Sequence, residues 1–187
     1  LDIGVPEGVD LTVRLAVGHA RVTGVTGTVM IDTWAADAEA EDIAGSWLFD
    51  TGSGNVTVRN AGGTLRIDTG SGSGTVTGMR GDLLDIDTGS GSVDATDVQV
   101  GRFRFDTGSG DVRARSISAP RGVADTGSGS VLLEYAEGAA VEDLLIDTGS
   151  GSVQLALPRQ VSARLSIDTG SGEVTVNREG AIFERRG

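Results

Sequence analysis

Hydrophobic and polar residues alternate along most of this chain, in short runs that return at a nearly constant interval. One set of apolar pairs falls at Trp47/Phe49, Leu65/Ile67, Leu84/Ile86, Phe103/Phe105, Leu144/Ile146 and Leu165/Ile167. A second set follows at Val56/Val58, Gly74/Val76, Val93/Ala95, Val112/Ala114, Val131/Leu133, Val153/Leu155 and Val174/Val176. A period of two marks a strand with one face buried. Between the two sets lies a glycine-rich segment suited to a turn. Helical periodicity is lacking. The alanine-rich segment "WAADAEAEDIAG" (Trp34 to Gly45) could be read as a helix, but its register fits a coil of strands better.

The turn segment is Asp-Thr-Gly-Ser-Gly, which occurs seven times with its Asp at 50, 68, 87, 106, 125, 147 and 168. The steps are 18, 19, 19, 19, 22 and 21 residues. Two degenerate copies precede them. Ile31 to Ala38 keeps Asp32 and Thr33 but loses the glycines, and Leu15 to Val22 keeps Gly18 and Val22. A unit of this length with two short strands cannot bury its own apolar face, but stacked units can. The pattern therefore predicts an all-β chain, a single-domain β-solenoid (β-helix) of about nine coils with an 18–22-residue repeat. At ~4.8 Å per coil the rod is roughly 40 Å long. Residues 1–187 form one domain: 1–14 an N-terminal cap and first strand, 15–177 the coils, and 178–187 a C-terminal cap or tail. The coil before Asp125 carries Gly122 and Ala124 at inward positions, after "SAPRG", and an irregular bend is expected there.

Composition supports a folded chain. Hydrophobic residues make up 38% of the 187, mostly Val, Leu, Ile and Ala, although Gly is frequent. The net charge of −12 and the complete lack of Lys argue against nucleic acid, which needs a basic surface, and against adsorption to an anionic membrane. No apolar run approaches 18 residues, so direct membrane insertion through a helix is not expected. Without Cys there is no disulfide framework. The start at Leu1 rather than Met suggests that a targeting segment has been removed.

Parity along the strands assigns the repeat. In each unit the residue before Asp points inward, Asp outward and Thr inward. Thr51, Thr69, Thr88, Thr107, Thr126, Thr148 and Thr169 are expected to stack as an internal ladder whose hydroxyls satisfy turn backbone groups. The glycines are expected to supply positive φ for the sharp corner. Asp50, Asp68, Asp87, Asp106, Asp125, Asp147 and Asp168 form an outward column. At ~5 Å spacing each neighbour pair repels by about 1 kcal/mol in water, so the column needs an offset. One candidate offset is acceptance of hydrogen bonds from the N–H groups of the same turn. The other is a row of cations, Ca²⁺ bridging carboxylates and turn carbonyls, although the calcium β-roll nonapeptide is missing.

A hydrophobic residue before Asp-Thr-Gly-Ser also resembles an aspartic-protease loop. That chemistry needs two aspartates facing each other and sharing a proton. Seven copies at coil spacing form a column of parallel carboxylates instead. His19 is the only histidine, which excludes His-based triads and multi-His metal sites within one chain. It aligns with a corner Ser and reads as an exposed turn residue. No Lys follows the Gly-Ser-Gly run and no helix starts there, so it is not a phosphate loop. The regular Thr points inward, which weighs against an ice-binding face. Outward positions mix Arg66, Arg102, Arg104, Arg113, Arg115 and Arg164 with acidic and hydroxyl residues. Trp47 belongs to the core. Trp34 replaces a corner glycine, and either folds over the N-terminal coil as a cap or anchors a partner.

The residues "VPEGVDLTV" near the start, followed by tandem "IDTGSGSV" and "FDTGSGDV" units, resemble the DUF4097-type bacterial β-strand-repeat proteins. That family carries the label of adhesins and is similar to autotransporter adhesin heads. The resemblance spans about residues 5–178. It departs from the family in homogeneity, since the Asp and Thr positions usually vary there. It implies a β-solenoid, a bacterial cell-envelope setting (periplasm or cell surface) and no catalytic residues. The resulting expectation is a non-enzymatic extracytoplasmic structural or binding module, adhesin-like, with a protein or cell-surface partner and no cofactor. The alternative is an extrinsic accessory subunit of a membrane-protein complex. Minor alternatives are a Ca²⁺-binding repeat protein on the Asp column and an aspartic protease.

Overall fold

The computed structural model describes Pro6 and residues 8–177. The tail at 178–187 and most of the N-terminal segment before residue 8, the two segments expected to act as caps, lie outside the described residues. Twelve strands form one parallel sheet wound into a solenoid: β1 Val9–Thr23, β2 Thr26–Thr51, β3 Val56–Thr69, β4 Gly74–Thr88, β5 Val93–Thr107, β6 Val112–Ser118, β7 Arg121–Thr126, β8 Val131–Tyr135, β9 Asp143–Thr148, β10 Val153–Ala156, β11 Arg164–Thr169 and β12 Val174–Asn177. There is no helix among the described residues, and Trp34 to Gly45 is strand. About nine coils stack in register, as the repeat predicted.

Each coil has two main faces. The long face carries the residues leading into Asp-Thr, paired coil to coil as Asp50↔Asp68↔Asp87↔Asp106↔Asp125↔Asp147↔Asp168. The short face carries the Val-x-Val strands, Val56↔Gly74↔Val93↔Val112↔Val131↔Val153↔Val174. A third, shorter side joins them and supplies inward Ile43, Ala61, Met79, Val98, Val100, Ile117 and Ala119 to the core. In the early coils a single strand runs through this third side, so β3, β4 and β5 each cover short face, third side and long face.

The third side begins at a corner that periodicity did not reveal. Asp42, Asn60, Asp97 and Ser116 take φ of 54–55°, and Gly24 and Gly78 hold the equivalent places at 68° and 74°. Asn, Asp and Gly tolerate this left-handed conformation better than other residues. The Gly-Ser-Gly corner was expected to hold the positive φ, and it does not. None of its fourteen glycines from Gly52 to Gly172 has positive φ. They are needed for a different reason. A Cβ on Gly52 would lie 2.6 Å from the Trp34 carbonyl oxygen, and one on Gly70 the same distance from that of Gly52. Cβ atoms on Gly54, Gly72, Gly91 and Gly110 would overlap the carbonyls of Ala36, Gly54, Gly72 and Gly91. The corners of successive coils approach too closely for any side chain.

The core is a column of Val, Ile and Leu with two aromatic inserts. Trp47 stacks on Phe49 with ring centroids 5.9 Å apart, and Phe103 on Phe105 at 4.7 Å. The second pair explains the weak coil: Phe103 sits where a Cβ on Gly122 would be, so Gly122 makes room for the ring. The expected bend is present as a break between β6 and β7 at Ala119 and Pro120, while Gly122 and Ala124 stay in register with Phe103 and Phe105. The 22-residue step accommodates Ala136 to Glu142, a turn with Gly138 at φ 78°.

Candidate functional site

The Thr column is buried as parity predicted. Thr33, Thr51, Thr69, Thr88, Thr107, Thr126 and Thr148 are 0–3% exposed, and only Thr169 in the last coil is partly open. Each hydroxyl from Thr69 to Thr148 bridges two coils. Thr107 Oγ1 donates to the Gly91 carbonyl at 2.8 Å and accepts from the Gly110 N–H at 3.0 Å. Thr88, Thr126 and Thr148 repeat the pattern with distances of 2.8–3.0 Å. Buried Gly N–H and C=O groups that the tight corner leaves without backbone partners are satisfied this way.

A second polar ladder was missed from sequence. At the place after the second corner residue stand Asp37, Asn55, Ser73, Ser92, Asp111, Ser130 and Ser152, all short acceptors, and in the last coil Glu173. The side-chain oxygen of a short acceptor here accepts from the backbone N–H of the same position one coil on: Asn55 N–H to Asp37 at 2.7 Å, Ser73 N–H to Asn55 at 3.0 Å, Ser92 N–H to Ser73 at 3.1 Å and Ser130 N–H to Asp111 at 2.8 Å. The sequence signal was present in the residue types. His19 stands at the start of this column, paired with Asp37, and not at the Ser of the Gly-Ser-Gly corner. It is exposed as expected and lies 3.7 Å from Glu39.

The Asp column runs along the edge of the long face, next to the turn. The turn N–H groups do not reach these carboxylates. The Gly70 N–H pairs with the Thr51 carbonyl and the Ser71 N–H with that of Gly52, and the Gly72 N–H goes to Thr69 Oγ1. In part of the column Arg supplies the offset that turn amides do not. Arg14 occupies the Asp position of the first coil and lies 3.3 Å from Asp32. Arg104 reaches Asp85 at 3.4 Å, Asp87 at 3.3 Å and Asp106 on its own strand. Burial opposes the Arg104 charge, but the hydrogen bond to Asp87 and the charges of Asp106 and Asp85 hold its pKa above the usual value. Asp68 lies outside this bridge. Partial burial, then the charges of Asp87, Asp50 and Asp85, push its pKa up. Burial also raises Asp106, against the lowering effect of Arg104.

Between carboxylates that succeed one another along one face there is no opposed pair to share a proton, as an aspartic-protease dyad requires. Among the described residues no three acidic or His side chains converge on a point that could hold a metal ion. Two grooves, about 460 Å³ beside Arg80, Gln99 and Ser118 and about 410 Å³ beside Thr12, Met30, Leu48 and Arg66, lie open along the outer surface.

Trp47 is in the core, as read from its parity. Trp34 does not fold over the N-terminal coil as a buried cap. It is 77% exposed, near Val17 at 72%. Its corner has no Gly-Ser-Gly bend, and β2 runs straight through it, laddered on β1 by Val17↔Ala35, Gly18↔Ala36 and His19↔Asp37.

A single sheet wound into parallel coils, tied by internal hydroxyl ladders, defines a structural repeat module of the β-solenoid class. The chain belongs to the Toastrack DUF4097 family, whose model matches residues 11–185. No curated protein and no solved structure is similar enough to match it.

Proposed function

We propose that this chain is a non-enzymatic binding module of the bacterial cell envelope, a rigid rod that presents its outer faces to a protein or surface partner, in the manner of an adhesin. The observation that carries this reading is the division of labour between inside and outside. The repeated hydroxyls are spent on holding coils together, and the outward positions other than the Asp column bear the variable residues. Trp34 supports a protein contact, since a large aromatic left open to water is typical of the residues that anchor interfaces. The Asp column gives the same surface a negative edge, suited to a partner with basic groups.

The test is recovery of partners from gently solubilised native membranes with the wild-type chain and the Trp34→Ala variant as baits. A partner retained by the wild type and lost by the variant supports the reading. Equal recovery by both sinks the role of Trp34. Co-purification with integral membrane proteins would favour the accessory-subunit reading over surface adhesion. Protease accessibility on intact cells tests the extracytoplasmic placement, and protection until lysis would overturn display on the cell surface.

A further inference from the structure

The first and last described coils carry complementary edges. At one end β1 pairs only with β2, and at the other β11 pairs only with β9 and β12 only with β10 among the described residues. Exposed strand edges invite pairing with another chain. Following the register through the stack shows what the first and last coils would present to one another. Arg164 occupies the column that begins at Asp10, and Asp168 the column that begins at Arg14. Glu173 occupies the column of His19, next to that of Arg21. The inward positions match as well: Leu165 with Leu11, Ile167 with Val13, Val174 with Ala20 and Val176 with Val22. These apolar residues are less buried than their counterparts in the middle coils, and Val174 is 42% exposed.

We infer that the partner of these edges is a second copy of the chain, stacked head to tail so that the last coil of one copy continues into the first coil of the next. The charges supply the specificity. The Arg164/Asp10 and Asp168/Arg14 pairs are opposite in sign, and the Arg14–Asp32 pair at 3.3 Å shows within one chain the contact that Arg14 would make on its other side with the incoming Asp168. Within the chain Glu39 faces Arg21 and lies 3.9 Å from it, with His19 diagonal at 3.7 Å; Glu173 would face His19 directly and have Arg21 as its diagonal cation. A two-fold contact between like ends could match only one face, because the long face, short face and third side differ in length. Head-to-tail stacking matches both main faces together. Such a contact uses two different surfaces and does not close, so it generates filaments.

Cysteine trapping tests this on the full chain, which has no native Cys. Thr12→Cys and Ser166→Cys lie at outward, equivalent positions on the two ends. Stacked strands bring such Cα atoms to ~4.8 Å, within disulfide range. The double variant should give a ladder of dimers, trimers and higher species under oxidation. The two single variants should cross-link when mixed and not when oxidised alone. Dimers from either single variant alone would show a like-end contact and overturn the inference, and so would a double variant that stays monomeric. Asp168→Arg provides an independent reading by sedimentation velocity. It faces Asp147 within its own chain, so folding, followed by circular dichroism, should be retained while association weakens at least tenfold. Unchanged association in that variant would also overturn the head-to-tail geometry.

Discussion

The solenoid turns at two kinds of corner, and they solve the same problem differently. At the Gly-Ser-Gly corner the backbone stays in ordinary φ, and the glycines are required because the next coil's carbonyl occupies the space of a Cβ. At the other corner one residue per coil takes a left-handed φ, and Asp42, Asn60, Gly78, Asp97 and Ser116 all serve. Glycine has conformational freedom, yet at the second corner four of the six left-handed residues are not glycine, and the Gly-Ser-Gly repeat of the first answers a packing constraint between neighbours. The first corner depends on the coil beneath it. The second depends mainly on itself.

The sharpest way to break this comparison is a pair of alanines. Gly91→Ala puts a Cβ into the Gly72 carbonyl and should cost about 3 kcal/mol, because backbone on both sides must move. Gly78→Ala at φ 74° should cost about 1 kcal/mol, the ordinary penalty for a left-handed residue. Equal losses in denaturant unfolding would erase the distinction. Next in size is Thr107→Val, which keeps the shape but leaves the Gly110 N–H and the Gly91 carbonyl unpaired in the core. A loss of about 2 kcal/mol is expected, with Thr107→Ser retaining most of the stability. Ser92→Ala removes the acceptor of the Asp111 N–H at 3.3 Å in a partly open position, and should cost about 0.5 kcal/mol. A loss as large as that of Thr107→Val would place the outer ladder on a par with the inner one.

The smallest effect concerns the Asp column. Asp68 has its folded pKa raised above the ordinary value of 3.8 by partial burial and by its acidic neighbours. The folded state thus holds this proton more tightly than the unfolded chain. Its contribution to stability is most favourable at low pH and declines as pH rises from the ordinary aspartate range through the raised folded value. Asp68→Asn should raise Tm slightly at neutral pH and flatten this part of the pH profile. A lower Tm for the variant at neutral pH would show that the carboxylate is held by a favourable contact instead.

Much of this architecture was legible in residue order. The alternation placed Phe49, Thr51 and Trp47 inside and Asp50 outside, and the repeat length set the number of coils. The reason for the glycines was not legible, because a clash with the carbonyl 18 to 22 residues earlier exists only once the coils are superposed. The left-handed corner was hidden by the variety of residues that tolerate it. The outer ladder from Asp37 to Ser152 could have been found, since every member is a short acceptor at one fixed place in the repeat. The expected hydrogen bonds from turn amides to the Asp column failed because those donors were already committed to the preceding coil. Arg104 filled part of that need by meeting three carboxylates from two coils at once, a role its place among scattered outward arginines did not announce.

The hydroxyl ladder also governs how order can spread. Its longest links span only 19 residues, from Thr148 back to Gly129, and most span 15 to 18. No residue waits for a distant part of the chain before its partners exist. Such a molecule assembles as a zipper does, from a starting turn outward, and each new coil finds its template already laid. The stacked rings at Trp47/Phe49 and Phe103/Phe105 are the places where that start is best anchored, and unwinding under load should proceed from the two ends toward them.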